Sequence, residues 1–148
     1  MQLRNAQATR ERAELAAWRD RAGGVLGPIL GVLDDMEPRA IAEAGGRSPQ
    51  TIENIGRRWW RARDDLLVFG AANPSQQIAT ASEALAEAVA RSWTSVTSLN
   101  RALQEAGESA APVDPGLLAR ATKDHEEAKA AAHELGEHTR SATSAAPA

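Results

Sequence analysis

The chain has 148 residues, with 17 Lys+Arg against 20 Asp+Glu and a net charge of −3, which excludes both a polycationic packaging protein and an acidic tail protein. There are 32 Ala and only 31 larger apolar side chains, Cys and Tyr are absent, and Phe occurs once. Disulfides, thiolate metal sites and a thiol nucleophile are thereby excluded, one modest domain is expected, and the composition favours helix over strand, so the predicted fold class is all-α.

The first predicted helix, residues 2–36, begins with Arg4, Arg10, Glu11, Arg12 and Glu14, not with the apolar stretch of a secretory signal. Its apolar seam is Leu15, Trp18, Ala22, Val25, Ile29, Val32 and Met36, widened by Leu26, Leu30 and Leu33. The uncharged run at 23–33 has 11 residues where a membrane span needs about 20; no span is expected, and the cytoplasm is the default location. Pro28 removes a backbone hydrogen bond and predicts a kink or short break near residues 23–28. Gly23, Gly27 and Gly31 recur every four residues, a strip read as close packing against another helix, with a hinge as the alternative.

Ser48-Pro49 opens the second predicted helix, 49–70, as an N-cap followed by Pro at the first helical position. Its seam is Ile52, Ile55, Trp59, Ala62, Leu66 and Phe69, and Gly70 is read as its stop. Trp59 and Trp60 diverge by about 100° around the helix. Trp59 is the core residue; Trp60 lies beside Leu67 on a flanking stripe, so this helix is expected to be covered on two sides, by two neighbouring helices or by a second subunit.

Asn73-Pro74 opens the third helix, 74–107, with Gln76 placed for a capping box. Its seam runs Ile78, Ser82, Leu85, Val89, Ser92, Val96, Leu99 and Leu103, the serines leaving room for large rings, and Gly107 is its stop before a linker at 108–113. Asp114-Pro115 opens the fourth, 115–138, with a thinner stripe of Leu118, Ala121, His125, Ala128, Ala132 and Leu135. Residues 141–148 read as a disordered tail. Heptad seams and short connections predict an antiparallel, up-down four-helix bundle with a kinked first helix, one domain over 1–140.

Catalytic signatures are missing. His133 and His138 are five apart, about 140° around a helix, whereas a helical zinc pair needs a spacing of four; His125, on the seam, is read as a hydrogen-bonded core or rim histidine. Asp34-Asp35 and Asp64-Asp65 are adjacent pairs whose members point in different directions. There is no Gly-x-Ser-x-Gly elbow and no phosphate loop. No catalytic, cofactor or metal residue is assigned, no small-molecule ligand is predicted, and the chain is expected not to be an enzyme. A core this rich in Ala makes self-association or docking to a protein partner the expected mode of action.

The sharpest local pattern is Ile41-Ala42-Glu43-Ala44-Gly45-Gly46-Arg47-Ser48-Pro49-Gln50-Thr51-Ile52-Glu53-Asn54-Ile55. It resembles the helix-turn-helix of lactose-repressor-type and two-component response regulators: a small Ala42, Gly46 four residues on, and a capped second helix with Ile52 and Ile55 inward. The pattern departs at Arg47, where those regulators carry an aliphatic core residue. The resemblance implies that Ser48, Gln50, Asn54 and Arg57 face the major groove with Arg58, Arg61 and Arg63 near phosphates. Residues 39–63 hold six Arg and two Glu, a local charge of +4, which suits DNA.

A broader resemblance is to helical proteins of unassigned activity in actinobacteria, carried by Trp18-Arg19 with Arg21, Leu26-Gly27-Pro28, Leu33 with Asp35, Pro38 and Arg63-Asp64-Asp65-Leu66-Leu67. It implies a bundle in which 37–50 is an irregular connection. The leading expectation is therefore a non-catalytic helical interaction or structural protein. The alternative is a small DNA-binding regulator using residues 38–60, with Ser48, Gln50, Asn54, Arg57, Arg58 and Arg61 as its contacts.

Overall fold

The computed structural model describes residues 2–73, 75–109 and 112–144, without the side chains at 2–4, 15 and 142–144. It comprises α1 (Gln2–Asp35), α2 (Pro38–Glu43), α3 (Pro49–Ala72), α4 (Gln76–Ser109) and α5 (Pro115–Ser144), with no strand among the described residues. The four long helices close a ring in which α1 packs on α3 and α5, and α4 packs on α3 and α5. Cross-contacts fix the directions. Trp18 stacks on Phe69 while Asp35 pairs with Arg58, and Gly70 meets Ser82 while Gly56 meets Trp93, so chain neighbours run antiparallel as expected.

The seams form the core. Ile29, Val32, Met36, Ile55, Trp59, Leu66, Ile78, Leu85, Val89, Val96, Leu99 and Leu135 are all buried. Along α5 the contribution is mostly methyl groups, Ala121, Ala128 and Ala132, with His125 buried among them. The His125 Nε2 lies 2.7 Å from the Leu33 carbonyl oxygen, so an imidazole N–H there satisfies a carbonyl in the last turn of α1.

Several boundaries differ from the sequence reading, each for a local reason. α1 is bent and stays helical through Pro28, without a break. Gly70 does not end α3: a Cβ there would lie 2.8 Å from the Ser82 Cβ, so the glycine permits close approach of α3 to α4, and the C-cap is Asn73. Small therefore faces small at Ser82, and the large ring set against a small residue is Trp93 on Gly56. Pro74 lies outside the described residues. α4 begins at Gln76, where the Ser75 Oγ accepts the Ile78 N–H at 3.5 Å and the Gln76 amide donates to the Thr80 hydroxyl instead of closing a capping box. Gly107 is passed within α4, and α5 continues to Ser144. The tail expected from Ser141 is thus helical as far as 144; residues 145–148 lie outside the described residues.

The glycine strip is also not a packing seam. Nothing approaches a Cβ position within 4 Å at Gly23 or Gly27, and at Gly31 the neighbour is the Arg58 guanidinium at 3.4 Å. Periodicity places these glycines on one side of α1, and that side is exposed at Gly23 and Gly27 and half-buried at Gly31.

Candidate functional site

The segment 36–54 is organised by its turn. α2 starts with Pro38 at its first position and the Glu37 carboxylate capping the Ala40 N–H at 2.6 Å. It stops in a pair of left-handed glycines, Gly45 at φ 73° and Gly46 at φ 100°. The Gly46 N–H reaches the Ile41 carbonyl at 2.9 Å and the Gly45 N–H the Ala42 carbonyl at 3.1 Å, the double closure of a Schellman cap. Arg47 follows. Its N–H donates to the Asn100 Oδ1 at 2.6 Å, and its carbonyl accepts from the Asn100 amide at 3.2 Å and the Gln104 amide at 3.1 Å. α4 thus clamps the turn through the Arg47 backbone. Ser48 then caps α3, its Oγ accepting the Thr51 N–H at 3.2 Å.

α2 packs on α4 and α5, and α3 carries a buried stripe from Ile55 to Gly70. Of the six residues assigned to DNA from sequence, Gln50, Asn54, Arg57 and Arg61 are exposed on the outer side of α3. Ser48 is exposed but engaged as the cap. Arg58 is turned to α1, where its guanidinium pairs with Asp35. Arg57 pairs with Glu53 at 2.5 Å, whereas Arg61 has no ion-pair partner among the described residues. A polar cleft of about 470 Å³ separates the end of α1 from the start of α3, lined by Asp34, Asp35, Arg47, Thr51, Asn54 and Arg58. Its two signs of charge leave no net field for an anion.

The same outer face carries residues not singled out for a site from sequence. Trp60 is 57% exposed and Val68 69%, and the Arg63 guanidinium lies over the Trp60 ring, 5.4 Å from its centroid. Leu67 packs against the core, but Trp60 does not: the cover expected on that side is not supplied by the described residues. The signal was present as an aromatic and a β-branched residue off the seam. The Asn100 and Gln104 clamp had no local signal, because its partner is 53 residues away.

A second concavity, about 430 Å³, opens between α1 and α3 at the far end, where Trp18 and Phe69 stack with centroids 5.8 Å apart. Arg21 and Asp65 stand at its rim. On α5, His133 and His138 each approach a glutamate of their own helix, Glu137 at 3.7 Å and Glu134 at 3.5 Å. No nucleophile, base and orienting group converge in these places. Among the described residues no helix is long and apolar enough to cross a membrane. No protein-family model, curated protein or solved structure matches the chain.

Proposed function

We propose that the protein is a non-catalytic, cytoplasmic helical interaction module whose contact surface is the outer face of α3. The observation that carries this reading is Trp60: a large indole left more than half exposed on a helix whose opposite side supplies Ile55, Trp59, Ala62 and Leu66 to the core. Trp and Arg are the side chains that dominate protein contact sites, because each offers wide apolar or planar area together with a polar handle. Here Trp60 is surrounded by Arg57, Arg61 and Arg63, with Val68 two turns on.

The test is a photo-crosslinking amino acid placed at position 60 of the full chain in the cells that make it, with position 127 on exposed α5 as control. A protein adduct from 60 and none from 127 is expected. An adduct to DNA, accompanied by salt-sensitive duplex binding that Arg57→Glu with Arg61→Glu abolishes, would replace this reading with the regulator. No adduct from position 60 would overturn it outright.

A further inference from the structure

We infer that α1 is hinged at residues 23–28, and that the helix before the hinge is an arm, latched to the bundle by Trp18 on Phe69, which swings open as a unit while the bundle stays folded. The inference does not rest on the outer face of α3 being a contact surface.

The two halves of α1 are anchored very differently. After the hinge Ile29, Val32 and Leu33 are buried, with Met36 just beyond them in the core. Before it, the described side chains from 5 to 21 are exposed except Ala8 and Trp18, which are half-buried, and only Ala22 is buried. The hydrogen bonds of Gln7 and Thr9 stay within α1, and none of the described side chains from 5 to 22 makes a hydrogen bond or ion pair with another helix. Among the described residues the arm is held by the stack of Trp18 on Phe69, with Ala22 behind it. Even that contact is loosely seated: the indole lines a concavity of about 430 Å³ between α1 and α3 and another of about 200 Å³ between α1 and α5.

The hinge lies where the helix is intrinsically weakest. Pro28 has no N–H, so the Gly24 carbonyl lacks its helical donor, and the pyrrolidine ring crowds that same carbonyl. Gly27 lacks the Cβ that a following proline ring would strike in a helical residue. Gly23 and Gly24 weaken the helix further through backbone entropy. No group lies within 4 Å of a Cβ position at 23, 24 or 27, so no packing braces these glycines. Four weakening residues thus stand together between an anchored half and a nearly unanchored one, and α1 is bent though helical throughout. Such a junction is where a helix opens first. Opening lifts Trp18 off Phe69, the chain neighbour of exposed Val68, so the arm sets how much apolar surface this end of α3 presents.

Paired spin labels test this, since the chain has no cysteine and accepts two at exposed sites. Arg12→Cys with Glu87→Cys is the arm pair; Asp34→Cys with Glu87→Cys is the control pair beyond the hinge, and all three positions are exposed. Both pairs are measured in the chain otherwise unaltered, in Trp18→Ala, and in Trp18→Ala combined with Gly23→Ala, Gly24→Ala and Pro28→Ala. One latched distance should dominate the arm pair in the otherwise unaltered chain. Trp18→Ala should raise the ratio of open to latched arm about tenfold or more. The three hinge substitutions should lower it again by about tenfold or more, with the control distance narrow throughout. An arm pair already spread in the unaltered chain, or unmoved by Trp18→Ala, would overturn the latch. A spread that persists after the hinge substitutions would be fraying of the helix end and would overturn the hinge. A control pair that broadens in Trp18→Ala would make the arm part of the core and overturn the whole inference.

Discussion

Trp59 is 1% exposed and Trp60, joined to it by one peptide bond, is 57% exposed. The first lies on the stripe with Ile55, Ala62 and Leu66, where α1 and α4 close over α3; the second lies where the ring of helices turns outward and no element follows. Bundle geometry dictates the inner stripe, because a 3.6-residue repeat can bury only one side of a helix with two neighbours. It places no demand on the outer one beyond solubility. Stability and association are therefore written on opposite sides of one helix and should respond separately to mutation.

The largest effect is expected on the inner side. Trp59→Ala removes a fully buried indole from the middle of the core and should cost about 3–5 kcal/mol, lost transfer energy plus the cavity left behind. Urea denaturation followed by far-UV circular dichroism measures it. A loss below about 1 kcal/mol would mean that the core closes without Trp59 and that the two faces of α3 are less distinct than their burial indicates.

Next comes the turn that orients α3. Gly46→Ala forces a side chain into φ 100°, with its Cβ 2.9 Å from the Gln104 Nε2 and 3.2 Å from the Asn100 Oδ1. Relief requires moving the two amides that hold the Arg47 backbone. A cost of about 1–3 kcal/mol follows, with both Trp59 and Trp60 keeping their environments if α3 itself stays intact. Tryptophan fluorescence of the folded variant checks the second half of that expectation.

The seams of α3 and α4 were legible because heptad spacing is a property of the helix itself: Ile55, Trp59, Ala62 and Leu66, and Ile78 through Leu99, are buried as their periodicity requires. His125 was legible for the same reason, as a seam residue with a carbonyl within reach. Features that depend on a distant partner were not. Gly70 reads as a stop in sequence and is a contact with Ser82 in the fold; Gly23 and Gly27 read as a contact and face open space. Both errors have one cause: periodicity states which residues share a side, not what stands opposite. α2 escaped notice within 37–50 as an irregular connection because six residues hold no repeat to detect. Of the candidate site, the basic character of 39–63 was legible, but its division among a cap, an ion pair with Asp35 and a free outer stripe needed the neighbouring helices in place.

The glycine strip supplies a smaller test with the opposite sign. Gly23→Ala adds a methyl group where nothing lies within 4 Å, at a helical and exposed position. The mutant loses backbone freedom only in the unfolded chain and should gain about 1 kcal/mol of stability. A destabilised Gly23→Ala would show that another surface packs on this side of α1, and the same urea titration reads it.

Trp60→Ala should have the least effect on the folded monomer, within about 0.5 kcal/mol, as for surface positions without buried contacts. The measurement has to be made dilute, because association through this residue would add a concentration-dependent term to the apparent stability. Repeating it with the protein captured from position 60 added at rising concentration then sharpens the contrast with Trp59. The unaltered chain should gain thermal stability with that concentration while Trp60→Ala should not, and the gap between the two curves isolates what the exposed indole contributes to association. A Trp60→Ala curve that rises in parallel with the unaltered one would place the contact elsewhere on the bundle, leaving the inner stripe and its energetics untouched.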